Sequence, residues 1–151
     1  MDLFAQQIKT FKPKIASIFD PKKIKPLNDI LNGHCVELET GQEGSVKVAI
    51  LEEADIVVSG IVGGAGLIPT FAALQAGKNV ALANKEVLVI AGELVLKAAR
   101  NGADIIPIDS EHSAIFQALN GEKKEHIKKI ILTASGGPFL KTPLEAMSDI
   151  T

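Results

Sequence analysis

The sequence predicts an α/β fold, a parallel sheet with helices on both faces, and three observations carry that expectation. Short apolar runs rich in β-branched residues alternate with segments whose apolar residues recur at helical spacing. Glycine, Asn-Gly or Asp-Pro punctuates most junctions between them. The interval from one strand to the next leaves room for a crossover helix, as parallel βαβ units require.

The elements follow in order. FAQQIKTFKPK reads as a helix feeding a first strand over 14–20 (KIASIFD), which the Asp20-Pro21 turn closes. Residues 21–32 read as a helix stopped by Gly33, 35–38 as a second strand, and 42–51 as a helix carrying Val46, Val48, Ile50 and Leu51. DIVVS (55–59) has the continuous apolar character of a strand buried on both faces. A helix over 67–75 spaces Leu67, Phe71 and Leu74 on one side and ends at Gly77; NVALA (79–83) is the next strand. Residues 84–100 set Leu88, Ala91, Val95 and Ala98 on one stripe before Asn101-Gly102 stops the helix. A strand over 104–108, a helix over 111–119 and a final strand over 129–134 (KIILTA) complete the series. Neither end reads as finished: the opening suggests that an earlier strand is missing, and KTPLEAMSDIT reads as a helix cut in mid-connection.

Composition narrows the function. With 151 residues, 46% hydrophobic and 23% charged, the chain has enough apolar residue for a packed core. A net charge of −2 and a single arginine, Arg100, argue against a nucleic-acid partner. No apolar run reaches the ~20 residues of a membrane span, which argues against a membrane partner. One cysteine, Cys35, cannot close an intrachain disulfide, so a cytoplasmic location is the default expectation. Without Trp or Tyr, a ligand must be held by backbone, carboxylates, hydroxyls and lysines.

In open α/β sheets ligands sit beyond the carboxyl ends of the strands, and four strand ends here carry unusual groups. Gly60-Ile61-Val62-Gly63-Gly64-Ala65-Gly66 follows DIVVS, but its spacing is not G-x-G-x-x-G. Close backbone packing is the better reading of that turn, with contact to a cofactor allowed. Asn84-Lys85-Glu86 follows NVALA: Asn84 can cap the helix and Glu86 can offset its dipole. Lys85 opposes the dipole, which suggests an anion or polarised oxygen nearby. Asp109-Ser110-Glu111-His112 follows the strand at 104–108. Asp109 or Ser110 can cap the next helix, yet two carboxylates at a strand-to-helix turn can also swing to one point as hard ligands for Mg²⁺ or Mn²⁺. Ser135-Gly136-Gly137-Pro138 is a sharp turn whose hydroxyl and amides can meet phosphate oxygens. Together these signals suit one crevice for a metal-assisted reaction on a small phosphorylated substrate.

IVGGAGLIPT (61–70), LANKE (82–86), PIDSEHSAIFQ (107–117) and LTASGGPF (132–139) resemble the 1-deoxy-D-xylulose 5-phosphate reductoisomerase family, in order and at matching spacing over nearly the whole chain. The resemblance implies an NADPH- and Mg²⁺- or Mn²⁺-dependent oxidoreductase and isomerase. That enzyme converts 1-deoxy-D-xylulose 5-phosphate to 2-C-methyl-D-erythritol 4-phosphate in non-mevalonate isoprenoid synthesis and is the target of fosmidomycin-type inhibitors. It implies that Asn84 and Glu86 contact NADPH, that Lys85, Ser110 and Ser135 contact substrate, and that Asp109 and Glu111 hold the metal. Lys85, Asp109 and Glu111 are thereby the catalytic set. It also implies a homodimeric parent, cytoplasmic or in a plastid-type organelle in a eukaryote. Val87 stands where the family usually has serine and Gly64 where alanine is usual.

The family's G-S-T-G-S-I-G turn, which grips the NADPH pyrophosphate, is absent, as is the later segment with a third metal carboxylate and the lid. The chain is therefore expected to be a central fragment, inactive alone. Residues 1–108 would be the later part of a Rossmann-like NADPH-binding domain, incomplete, and 109–151 the start of an α+β catalytic domain. Two rivals remain at this stage: a non-catalytic nucleotide- or metabolite-binding α/β module, and another NADP-dependent oxidoreductase.

Overall fold

A computed structural model describes residues 1–100, 102–132 and 136–150. They form two compact units, Met1–Ile108 and Asp109–Thr151.

The first unit opens with α1 (Asp2–Phe11), then β1 (Ile15–Ile18), a 3₁₀ turn and α2 (Ile24–Leu31), β2 (Glu37–Thr40) and α3 (Gly41–Ala49). It continues with β3 (Ile56–Ser59), a 3₁₀ turn and α4 (Leu67–Gln75), β4 (Asn79–Leu82), α5 (Glu86–Ala99) and β5 (Ile105–Pro107). All pairing is parallel: β1 with β2, in register Ile15 to Glu37, and β3–β4–β5, in register Val80 to Val57 and Ile105. Asp20 starts the first 3₁₀ turn by accepting from the Lys22 N–H, and Asn32 ends α2 with a left-handed φ of 48°.

Because neighbouring strand residues point to opposite faces, β1 shows how the helices are shared out. Ala16 packs with Ala5 and Ile8 of α1 and with Leu27 and Leu31 of α2. Ser17, one step on, lies under α3, where a Cβ on Gly44 would meet its Oγ at 2.6 Å. Helices therefore cover both faces. A second core gathers Leu74, Val80, Leu82, Val87 and Val95 between α4, α5 and the three-stranded sheet.

Several boundaries differ from expectation. The second strand lies two residues later than 35–38, since Glu37 is the first residue to donate into the β1 ladder, to the Lys14 carbonyl. Helix α5 starts at Glu86 rather than Asn84 and is broken at Ala91 (φ −144°, ψ 34°), beside Gly92. The strand at 55–59 forms but is not buried on both faces: Ile56 is 54% and Val58 70% exposed, so the face that these alternate residues share is left open among the described residues.

In the second unit α6 (Ser110–Leu119) is followed by 3₁₀ turns at Lys124–His126 and Leu144–Asp149. The expected strand over 129–134 is absent from its described part, 129–132, and Ile130, Ile131 and Leu132 are exposed. An apolar run becomes a strand only when a ladder partner accepts its backbone, and none is present among the described residues. Thr133, Ala134 and Ser135 lie outside the described residues, and with them the expected phosphate contact at Ser135.

Candidate functional site

Two adjacent strands of the first unit end at one small cavity. Gly60 follows β3, and Ala83 and Asn84 follow β4; with Val62, Lys85 and Glu86 they line a space of about 230 Å³. The backbone supports this corner, since the Ala83 N–H donates to the Ser59 carbonyl at 3.0 Å. Beneath it the Ser59 and Thr70 hydroxyls share a buried hydrogen bond of 2.7 Å, tying the end of β3 to the first turn of α4.

Asn84 organises the cavity. Only 4% exposed, it donates both amide hydrogens into the glycine turn, to the carbonyls of Ile61 and of Gly63 (2.9 Å), and its Oδ1 accepts from the Val87 N–H at 3.3 Å. Two donors and one of two lone pairs are thus engaged internally. A polar residue is tolerated at so buried a place because its groups are satisfied. Gly66 closes the same junction: a Cβ there would stand 2.8 Å from Asn84 Nδ2 and 2.9 Å from the Ile61 oxygen. Close backbone approach is therefore what the last glycine of the turn provides. Sequence reasoning offered Asn84 as a cap or a cofactor contact and missed its role as the staple of the glycine turn. The signal was available in an amide-bearing residue directly after an apolar strand.

Lys85 is the N-cap of α5 and Glu86 its first residue, and both are exposed at the cavity. The acidic side chain sits where the helix dipole favours it. Lys85 brings a cation to the same end, where exposed amides and an ammonium together favour an anionic group.

The second unit carries the acidic pair. Asp109 is the N-cap of α6: Oδ1 accepts from the His112 N–H at 3.1 Å, and Oδ2 lies 2.8 Å from His112 Nδ1. Ser110 and Glu111 line a cavity of about 190 Å³ with Ala114, Ile115, Ile131 and Leu132. Among the described residues no three His, Cys, Asp or Glu side chains cluster as a complete metal site. The chain therefore offers two hard oxygen donors, a donor chemistry that fits Mg²⁺ or Mn²⁺ but leaves further positions for other ligands.

Residues 1–92 match the family described as 1-deoxy-D-xylulose 5-phosphate reductoisomerase, and residues 105–151 match the C-terminal domain of the same enzyme. The chain belongs to the 1-deoxy-D-xylulose 5-phosphate reductoisomerase family. The reductoisomerase of Trichlorobacter lovleyi is 50% identical over an aligned length of 152 residues that covers 100% of this chain and 39% of that protein. That of Chlorobium chlorochromatii is 51% identical over 148 residues, 97% of this chain and 39% of that protein. Among solved structures, the reductoisomerase from Zymomonas mobilis in complex with NADPH is 43% identical, with a TM-score of 0.82 over 97% of this chain and 39% of that chain. A reductoisomerase in complex with NADPH, fosmidomycin and magnesium is 39% identical, with a TM-score of 0.81 over 99% of this chain and 40% of that one. This chain thus spans about two fifths of its reductoisomerase relatives. Its α/β architecture is Rossmann-like, as expected. No helix of the described residues is long and apolar enough to cross a membrane.

Proposed function

We propose that this chain is the central part of an enzyme that converts 1-deoxy-D-xylulose 5-phosphate to 2-C-methyl-D-erythritol 4-phosphate with NADPH and a divalent cation, Mg²⁺ or Mn²⁺. The observation that carries the reading is the cavity at the ends of β3 and β4, where a buried asparagine shapes a glycine turn beside an exposed lysine. The family membership supports the same reading for residues 1–108 as part of the NADPH-binding domain and 109–151 as the start of the catalytic domain.

Each residue then has a physical task. Asn84 fixes the glycine turn and keeps one lone pair for the cofactor, while Glu86 accepts hydrogen bonds from it. Lys85 neutralises a substrate oxygen that carries developing charge. Ser110 and Ser135 donate hydroxyl hydrogen bonds to the substrate, Ser135 at its phosphate. Asp109 and Glu111 hold the cation, which as a Lewis acid polarises substrate oxygens. NADPH supplies the hydride. The substrate is a small phosphorylated sugar, with neither nucleic acid nor membrane as partner. The parent enzyme is a cytoplasmic homodimer, or an organellar one of plastid type in a eukaryote, and the 151 residues alone are inactive.

Asp109→Asn in the full-length enzyme separates metal binding from helix capping. Asparagine caps a helix about as well as aspartate, so α6 should persist by circular dichroism. Loss of one charged ligand should lower turnover by a hundredfold or more, about 3 kcal/mol of barrier, and weaken Mn²⁺ binding in a calorimetric titration. Unchanged turnover and Mn²⁺ affinity would sink the assignment.

A further inference from the structure

Helix α5 is two helices meeting at Ala91, whose φ of −144° and ψ of 34° are not helical. Neither residue at the joint breaks the helix by its shape. Alanine is the best of the helix formers. Gly92 has no positive φ, and a Cβ added there would meet nothing nearer than Leu88 Cβ at 4.0 Å. Gly44 in α3 is different, since its missing Cβ makes room for Ser17 Oγ, which would otherwise stand at 2.6 Å. Gly92 thus supplies neither room nor a left-handed turn. What it supplies is the low helix propensity of glycine, set beside the break.

Different contacts hold the two halves. Val95 and Ala98 of the second half are buried in the core with Leu74, Val80 and Ala103. The first half is tied to the glycine turn. Its Val87 N–H donates to Asn84 Oδ1 at 3.3 Å, and Asn84 in turn donates to the carbonyls of Ile61 and Gly63. Ile90 sits over the same turn, its Cδ1 3.5 Å from where a Cβ on Gly64 would stand. The Lys85 carbonyl accepts from the N–H groups of both Leu88 and Val89 at 3.1 Å, so the first turn is wound tightly. That turn brings Lys85 and Glu86 to the cavity at the ends of β3 and β4. From Ile90 back to Glu86 a helix runs about 7.5 Å. A kink of about 20°, the least that counts as sharp, therefore moves the Glu86 end by about 3 Å. Misplacement by about 1 Å is already enough to cost a site much of its function.

We infer that the break at Ala91 and Gly92 is a positioning joint, which frees the first turn of α5 from the axis of the core half so that Lys85 and Glu86 stand beside the glycine turn. Ala91 and Gly92 are positioning residues that act through these two side chains. The inference rests on the NADPH contact proposed for Glu86.

Gly92→Ala and Ile90→Ala, combined in the full-length enzyme, test it. The first favours the straight helix by about fivefold through propensity, and the second cuts the tie to the glycine turn. Amide hydrogen exchange reads the joint, because the N–H groups of residues 92–94 bond back across Ala91 only in a straight helix. In the wild type these amides should exchange faster than those of 96–98. In the double variant they should slow about fivefold or more. The Kd for NADPH, read by fluorescence titration, should rise by a similar factor while the Tm holds. Should the double variant not fold, Gly92→Ala alone carries the test with the same signs. Slowed amides with unchanged NADPH affinity would make the break a local irregularity and overturn the inference. Wild-type amides at 92–94 as slow as those at 96–98 would overturn it too, as would amides that the variants fail to slow. A wild-type enzyme that bound no NADPH at all would instead bring down the proposed function, and the inference with it.

Discussion

Replacing Asn84 by alanine should damage the fold of the first unit before any question of chemistry arises. The change removes two donors facing the carbonyls of Ile61 and Gly63 and the acceptor for the Val87 N–H, in a place only 4% exposed. Three hydrogen bonds at about 0.5–1.5 kcal/mol net each, with buried carbonyls left behind, put the loss at roughly 2–4 kcal/mol. For a unit of about a hundred residues that lowers the Tm by roughly 10 °C or more. Asn84→Asp is the sharper variant, because it sets a carboxylate oxygen against two carbonyl oxygens. Burial and those dipoles raise its pKa in the folded state above the unfolded value of about 3.9. The folded state then holds the proton more tightly. Stability of this variant should therefore be greatest below about pH 4 and fall as pH rises through the folded pKa. Urea unfolding of the three proteins from about pH 3.5 to 8 reads both effects. A loss below about 0.5 kcal/mol for Asn84→Ala, within the range of ordinary surface changes, would refute the staple.

Other sites give independent expectations. Gly44→Ala should destabilise by about 1–3 kcal/mol in urea unfolding through overpacking, since its Cβ would meet Ser17 Oγ at 2.6 Å and Glu39 Cβ at 2.9 Å as α3 lies on the β1–β2 pair; Gly92→Ala, whose nearest neighbour would be Leu88 Cβ at 4.0 Å, should not. The Glu53 carboxyl is held below its ordinary value, first by the hydrogen bond from Lys14 Nζ (2.5 Å). Its contribution to stability is thus present above the unfolded carboxylate pKa and is lost as pH falls through the depressed one. Lys14→Ala should move the Glu53 titration up towards the ordinary carboxylate range in a ¹³C NMR titration. Ser59→Ala should cost about 1–3 kcal/mol by leaving the Thr70 hydroxyl buried without its 2.7 Å partner, whereas the Ser59→Ala/Thr70→Val double variant should recover part of that loss.

Which elements were legible in the sequence follows from how locally each is determined. Helices α3, α4 and α6 form within one or two residues of their expected bounds, because spacing, capping and glycine stops are written into each segment itself. Asp109 was a candidate cap for α6, and its Oδ1 does accept from the His112 N–H. The break at Ala91 was not legible: Leu88, Ala91 and Val95 keep the helical stripe through it, and one non-helical residue leaves no trace in the pattern. Asn84 was expected as a cap, and its Oδ1 does accept from the Val87 N–H; its partners at Ile61 and Gly63 were not legible, since they lie more than twenty residues away and only the fold brings them near.

The strands depart from expectation for one shared reason. A β-strand is defined by its neighbours, whereas an apolar pattern records only that neighbours are wanted. DIVVS and KIILTA carry nearly the same pattern, yet the first is a strand with one bare edge and the second, through Leu132, is no strand at all. What separates them is β4: Val57 and Ser59 have a parallel ladder to join, and residues 129–132 have none among the described residues. The exposure of Val58 at 70% and of Ile131 at 69% then has a common meaning. Both are side chains whose burial the sequence specifies and whose covering partner is not supplied by the described residues. On that view the apolar pattern did not mislead about these segments. It reported a buried environment that the described residues do not supply to either segment.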